Sequence, residues 1–226
     1  MKNTFFIATL SILLSSCIGD DIILDTVDEL LRITQQASSI AVGESFQFEA
    51  RFTNNIGETE EGRVIWSSSD ETILNIDANG LATGLQQGSA SVIAEVPLAN
   101  GDVLREEMPI EVSSVTTVVE MPSIRTGEII TTTFYTLEGD FTLEEQGDSL
   151  LLNIADNYRA SSDLPGLYVY LTNNPNSING AFEIGEVSVF EGAHSYQLSG
   201  VELNDFDYIL YFCKPFRVKV GDGEIN

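Results

Sequence analysis

The chain has 226 residues, 43% of them apolar and 9% aromatic, enough for one or two hydrophobic cores, which excludes a wholly disordered chain. Against 35 Asp and Glu stand 10 Lys and Arg, a formal charge of −25 that argues against nucleic acid as a partner and against electrostatic adhesion to an anionic lipid surface. Two cysteines exclude a disulfide-dense scaffold, and one histidine excludes most metalloenzyme and triad designs.

Lys2 gives a positive start, and Phe5 to Leu14 is an apolar run of about ten residues. That is short of the roughly 20 residues a spanning helix needs and fits the apolar stretch of a secretory signal. Leu14-Ser15-Ser16-Cys17 follows, and it resembles a bacterial lipobox. The resemblance implies a signal peptide over 1–16, cleavage before Cys17, acylation of the Cys17 thiol and a lipidated tether over 17–28, with the lipid bilayer as partner. Asp20 and Asp21 resemble the surface-export signal of some Gram-negative lipoproteins. The expected location is therefore extracytoplasmic, lipid-anchored to the outer membrane and displayed at the cell surface. An acylated Cys17 leaves Cys213 with no disulfide partner.

From Phe46 to Phe52 the alternation of Phe46, Phe48, Ala50 and Phe52 with Gln47, Glu49 and Arg51 predicts a half-buried strand. Ala90, Val92, Ala94 and Val96 repeat the pattern, as do Met108, Ile110 and Val112, with Pro109 on the opposite face suggesting an edge position. Turn signals stand at Asn55-Ile56-Gly57, Asn79-Gly80, Gln87-Gly88 and Asn100-Gly101. Short strands at this spacing predict a β-sandwich.

Four ordered blocks of this segment, Ala41-Val42-Gly43-Glu44, Val64 to Asp70, Ile76 to Gly84 and Gly88 to Val92, together resemble the bacterial immunoglobulin-like domain of group 2, over about residues 29–113. The resemblance implies a spacer or adhesion module with no catalytic residues. Trp66, sharing a face with Val64, is expected to fill the gap between the sheets; a ligand platform is the other reading of that ring.

Residues 114–124 show no clear period and read as a linker. Beyond them strand signals resume at Ile129 to Tyr135, at Phe141 to Leu143 and Leu150 to Leu152 around a charged hairpin loop, at Leu167 to Leu171, Phe182 to Gly185, Val187 to Phe190 and Tyr196 to Leu198, and from Tyr208 to Val220. A second β-sandwich over 125–226 is the simplest account, so the fold class is all-β with two tandem β-sandwich domains. Glu138 to Leu143, Asp163 to Leu171, Gly192 to Leu198 and Tyr208 to Val218 resemble the small extracellular domain called DM thirteen, catalogued as an electron-transfer domain. That resemblance implies a redox role for one cysteine, which maps onto Cys213 by its place before Lys214-Pro215-Phe216, acting as a bare thiol or as a haem ligand. The polar finish from Gly221 to Asn226 departs from the family and is expected to fray.

The alternation Phe216, Val218, Val220 against Arg217 and Lys219, extended backward, turns Cys213 outward beside Lys214 and Arg217. Cationic neighbours stabilise a thiolate, as a redox thiol requires. A bulge or turn at Pro215 would reverse the phase and pack Cys213 as a small hydrophobe. His194, the only histidine, could assist Cys213 in holding a haem or serve as an ordinary loop residue. No haem-attachment, phosphate-loop, dinucleotide, nucleophile-elbow or zinc motif occurs, and no metal is expected. The acidic pairs Glu60-Glu61, Glu106-Glu107 and Asp205/Asp207 read as solubility charge. Two functions stay open. One is electron transfer through Cys213; the other is a non-catalytic surface protein that binds another protein or a glycan, with the cysteine structural.

Overall fold

The computed structural model describes residues 26–120 and 122–226. The signal segment, Cys17 and most of the expected tether therefore lie outside the described residues, as does Met121. Among the described residues there are only strands, turns and loops. The first unit holds β1 (Leu30–Ala41), β2 (Ser45–Gln47), β3 (Glu49–Thr53), β4 (Ile65–Ser68), β5 (Leu74–Ile76), β6 (Leu81–Gly84), β7 (Gly88–Pro97), β8 (Val103–Ser113) and β9 (Thr117–Val119). The second holds β10 (Ile124–Thr131), β11 (Leu137–Gln146), β12 (Ser149–Ile154), β13 (Arg159–Ala160), β14 (Leu167–Thr172), β15 (Phe182–Glu186), β16 (His194–Ser199), β17 (Tyr208–Cys213) and β18 (Val218–Glu224).

In the first unit a sheet of order β3-β1-β8-β7-β4 packs against the small sheet β2-β6-β5. Period-two burial drives this arrangement: Ala90, Val92, Ala94 and Val96 of β7 and Ile110 and Val112 of β8 meet Ile33, Ile40, Phe48 and Phe52 in one core. Pro109 lies outside the short parallel ladder of Glu111 to Ser113 with β1, so β8 is an edge at that point. The run from Phe46 to Phe52 is two strands, not one. The chain changes sheets at Phe48: β2 pairs with β6 while β3 pairs with β1, and the Phe48 amide donates to Gly80 O at 2.9 Å. Gly80, at φ 84, makes the Asn79-Gly80 turn that this contact needs. The expected linker is half absorbed, because β9 pairs with β1 and β10 already begins at Ile124.

The second unit keeps opposed layers, but they are continuous. One sheet runs β15-β14-β17-β18-β10-β11-β12-β16, and side chains from β10, β11, β12, β14, β16, β17 and β18 share one core. Residues 187–190 form no strand, and Tyr208 to Val220 is a hairpin with a turn at 214–217. The chain end does not fray: Ile225 is 2% exposed and Asn226 exchanges backbone hydrogen bonds with Thr126.

The two units meet around Asp207, which is 7% exposed. Arg32 Nη1 of β1 lies 2.6 Å from Asp207 Oδ1, Arg51 Nη2 of β3 lies 3.2 Å from Oδ2, and Arg125 Nη2 of β10 lies 3.5 Å from Oδ1. Arg51 also donates to Asn204 O, and Arg125 to Leu203 O, Phe206 O and Ile225 O. Gly57 adds a tight contact: a Cβ there would stand 2.7 Å from Asn174 Cβ. The reading of Asp207 as solubility charge is thus overturned. Glu106 is likewise engaged, its Oε2 accepting the Ile33 amide at 2.5 Å.

Thr26 to Leu30, the first described residues, run along this same junction beside Asn173 and Tyr208. The chain therefore arrives at the waist of the molecule.

Removing one member of a buried charge cluster costs far more than removing an exposed one. Asp207→Ala is expected to lose about 3–5 kcal/mol of stability by denaturant unfolding, because Arg51 and Arg125 stay buried. Arg32→Ala, at a side chain 45% exposed, is expected to lose about 1 kcal/mol or less.

Candidate functional site

Cys213 ends β17 with its side chain inward. It is 1% exposed, it belongs to the main core with Leu167, Tyr211 and Val220, and Sγ donates to Pro165 O at 3.3 Å. The outward placement expected from alternation is overturned, for three physical reasons. First, β17 is buried on both faces: Ile209, Tyr211 and Cys213 face the main core, while Leu210 and Phe212 join Tyr170 in a second cluster. Second, its register against β18 slips between Tyr211 and Phe212. Third, the turn at 214–217 resets the phase, leaving Phe216 66% and Val218 46% exposed where both were expected inward.

The cations expected to support a thiolate are engaged elsewhere or point away. Lys214 Nζ lies 2.7 Å from Glu183 Oε2 and 4.5 Å from the centre of the Tyr168 ring, and the bond to Glu183 raises its pKa. Arg217 is exposed in the turn at φ 55, a left-handed conformation that is costly for a non-glycine residue. His194 is half-buried between the rings of Tyr158 at 4.9 Å and Tyr196 at 5.4 Å, with Nδ1 3.0 Å from Gly192 O. The polar partner of the sulfur is Pro165 O, not His194. A haem does not fit these residues, since the sulfur is closed in by aliphatic packing and the imidazole is held between two phenols.

Sequence reasoning missed the company His194 keeps. Tyr158 and Tyr211 are fully buried with ring centres 6.1 Å apart. Burial raises the pKa of both phenols and of Tyr196.

A concavity lies elsewhere, at the junction of the two units. A cleft of about 760 Å³ is lined by half-buried Trp66 and by the core residues Phe48 and Phe52. The sheet change at Phe48 puts Phe48 and Phe52 there, and the Trp66 ring stands 6.4 Å from that of Phe48. Trp66 is half-buried; it packs on the core, as expected, and also lines the cleft. Glu49 and Glu61 form the wall on one side, and Glu145 and Glu202 form it on the other. All four are exposed, and none makes an ion pair among the described residues. Arg51 also borders the cleft, but Asp207 and Asn204 hold its guanidinium. The cleft's volume falls within the range of small-ligand and peptide sites, which favour domain interfaces.

Residues 29–99 match the family described as bacterial Ig-like domain (group 2). The match stops before β8, which completes the sheet by pairing with both β7 and β1. No curated protein matches the chain.

The Cys213 thiol is expected to resist maleimide in the folded protein and to react at once in denaturant; rapid labelling without denaturant would contradict its burial. The raised tyrosine values set a second expectation. Above the ordinary phenol value near 10 the unfolded chain releases protons that the folded chain keeps, so stability falls as pH rises past that point. Phenolate absorbance should therefore rise in two stages, the later one coinciding with the loss of native circular dichroism.

Proposed function

We propose that the protein is a non-catalytic, lipid-anchored binding protein of the bacterial surface, with the junction cleft as its ligand site. The observation that carries this reading is the cleft itself: a half-buried tryptophan from the Ig-like unit, carboxylates from both units, and a joint held by buried charge. Bacterial Ig-like domains of group 2 are typically extracellular or surface-exposed, in keeping with export. The lipobox resemblance at Cys17 supplies the anchor. Electron transfer through Cys213 rests on the DM-thirteen resemblance and gains no support from a sulfur closed off from solvent.

Two measurements test the proposal. Cys17→Ala is expected to abolish incorporation of labelled fatty acid and to release the protein from the outer-membrane fraction; unchanged labelling would reject the anchor. Trp66 is the only tryptophan in the chain and lines the cleft, so its emission reports occupancy. At least one member of a panel of neutral oligosaccharides, basic peptides and acidic peptides is expected to give a saturable change. Silence from the whole panel would remove the cleft as a site.

A further inference from the structure

The strand that lines the cleft is the terminal strand of its sheet. β3 pairs with β1 on one side only. On its other side, the Phe48 amide donates to Gly80 O, Phe52 O accepts the Glu60 amide and Thr53 bridges Thr59, while among the described residues Glu49 to Arg51 have no neighbouring strand. In an antiparallel ladder the backbone groups of alternate residues point to opposite edges. Phe52 O points outward to Glu60, so the N–H and C=O of Ala50, two residues earlier, point outward too. An open edge of this kind accepts an added strand, with main-chain hydrogen bonds supplying affinity and side-chain surroundings supplying selectivity.

The surroundings here are anionic. Glu49, Glu61, Glu145 and Glu202 face the cleft without ion pairs among the described residues, and Asp205 lines the wall beside Glu202. Glu60 also lines it, but is shared between Arg63 and Asn54. The one cation in the lining, Arg51, is committed to Asp207 and Asn204. Trp66 offers a partly exposed aromatic face, which suits an ammonium or guanidinium group.

Building on the binding reading above, we infer that the ligand of the cleft is a basic peptide segment. It lies in extended form across the short open edge of β3, pairing with the outward N–H and C=O of Ala50, with its Lys or Arg side chains among the carboxylates of Glu49, Glu61, Glu145 and Glu202.

Hexalysine titrated against the folded protein, with Trp66 emission as the readout, tests this directly. Saturable binding is expected, weakening as salt rises. Glu61→Gln with Glu202→Gln should weaken it roughly three- to tenfold, the effect of losing two exposed charge pairs. Glu128→Gln with Glu138→Gln removes the same charge from exposed positions outside the cleft and should leave binding unchanged. Equal loss in both double variants would mean diffuse attraction to an anionic protein and would overturn the inference. Hexalysine N-methylated at every amide has the same charge but no backbone donor for a ladder, and it should bind at least tenfold more weakly, as spermine should. Equal binding by either would overturn strand addition. A neutral oligosaccharide that shifts Trp66 emission while hexalysine does not would leave the cleft a binding site and reject its basic ligand; no response from any probe would reject both.

Discussion

One buried carboxylate is shared by three guanidinium groups, and the relation of the two units depends on it. Asp207 sits at the start of β17, reached by Arg32 and Arg51 from the Ig-like unit and by Arg125 from its own. Burial alone disfavours charged arginines and pulls the pKa of Arg51 and Arg125 down; the Asp207 charge opposes that pull. The remaining donors of Arg51 and Arg125 end on the carbonyls of Leu203, Asn204, Phe206 and Ile225. The cluster therefore does more than join two sheets. It fixes the 203–207 loop, and with it the wall of the cleft that carries Glu202 and Asp205.

Much of the fold was legible because its strands bury one face. The alternation in β7 and β8, the Asn79-Gly80 turn and the charged hairpin between β11 and β12 all produce the ordinary period of two. Reading failed where that asymmetry disappears. β17 is apolar on both sides, so no phase could be taken from it, and the phase borrowed from Val218 and Val220 was reset by the intervening turn. The sheet change at Phe48 left no mark either, since a strand that passes between sheets keeps its alternation.

The site was less legible than the fold. Asp207 and Arg32 are 175 positions apart, and their local sequences look like any polar turn and any strand. Carboxylates in an acidic protein give no sign of which will be buried and which will line a cavity. Trp66 came closest: its two readings, core filler and ligand platform, differ only in how much of the ring the core leaves uncovered. The DM-thirteen resemblance drew attention to Cys213, yet identity at a position says nothing about which way a side chain turns.

The place where the chain meets the folded body has a consequence for access. From Cys17 to Thr26 the backbone can span at most about 30 Å, and Thr26 to Leu30 run along the junction. If Cys17 is acylated as proposed, the waist lies within that distance of the bilayer. A bulky folded partner would collide with lipid headgroups before reaching the waist, whereas a slender unfolded tail could thread in from the side. Geometry alone would then filter visitors by thickness, ahead of any chemical selection.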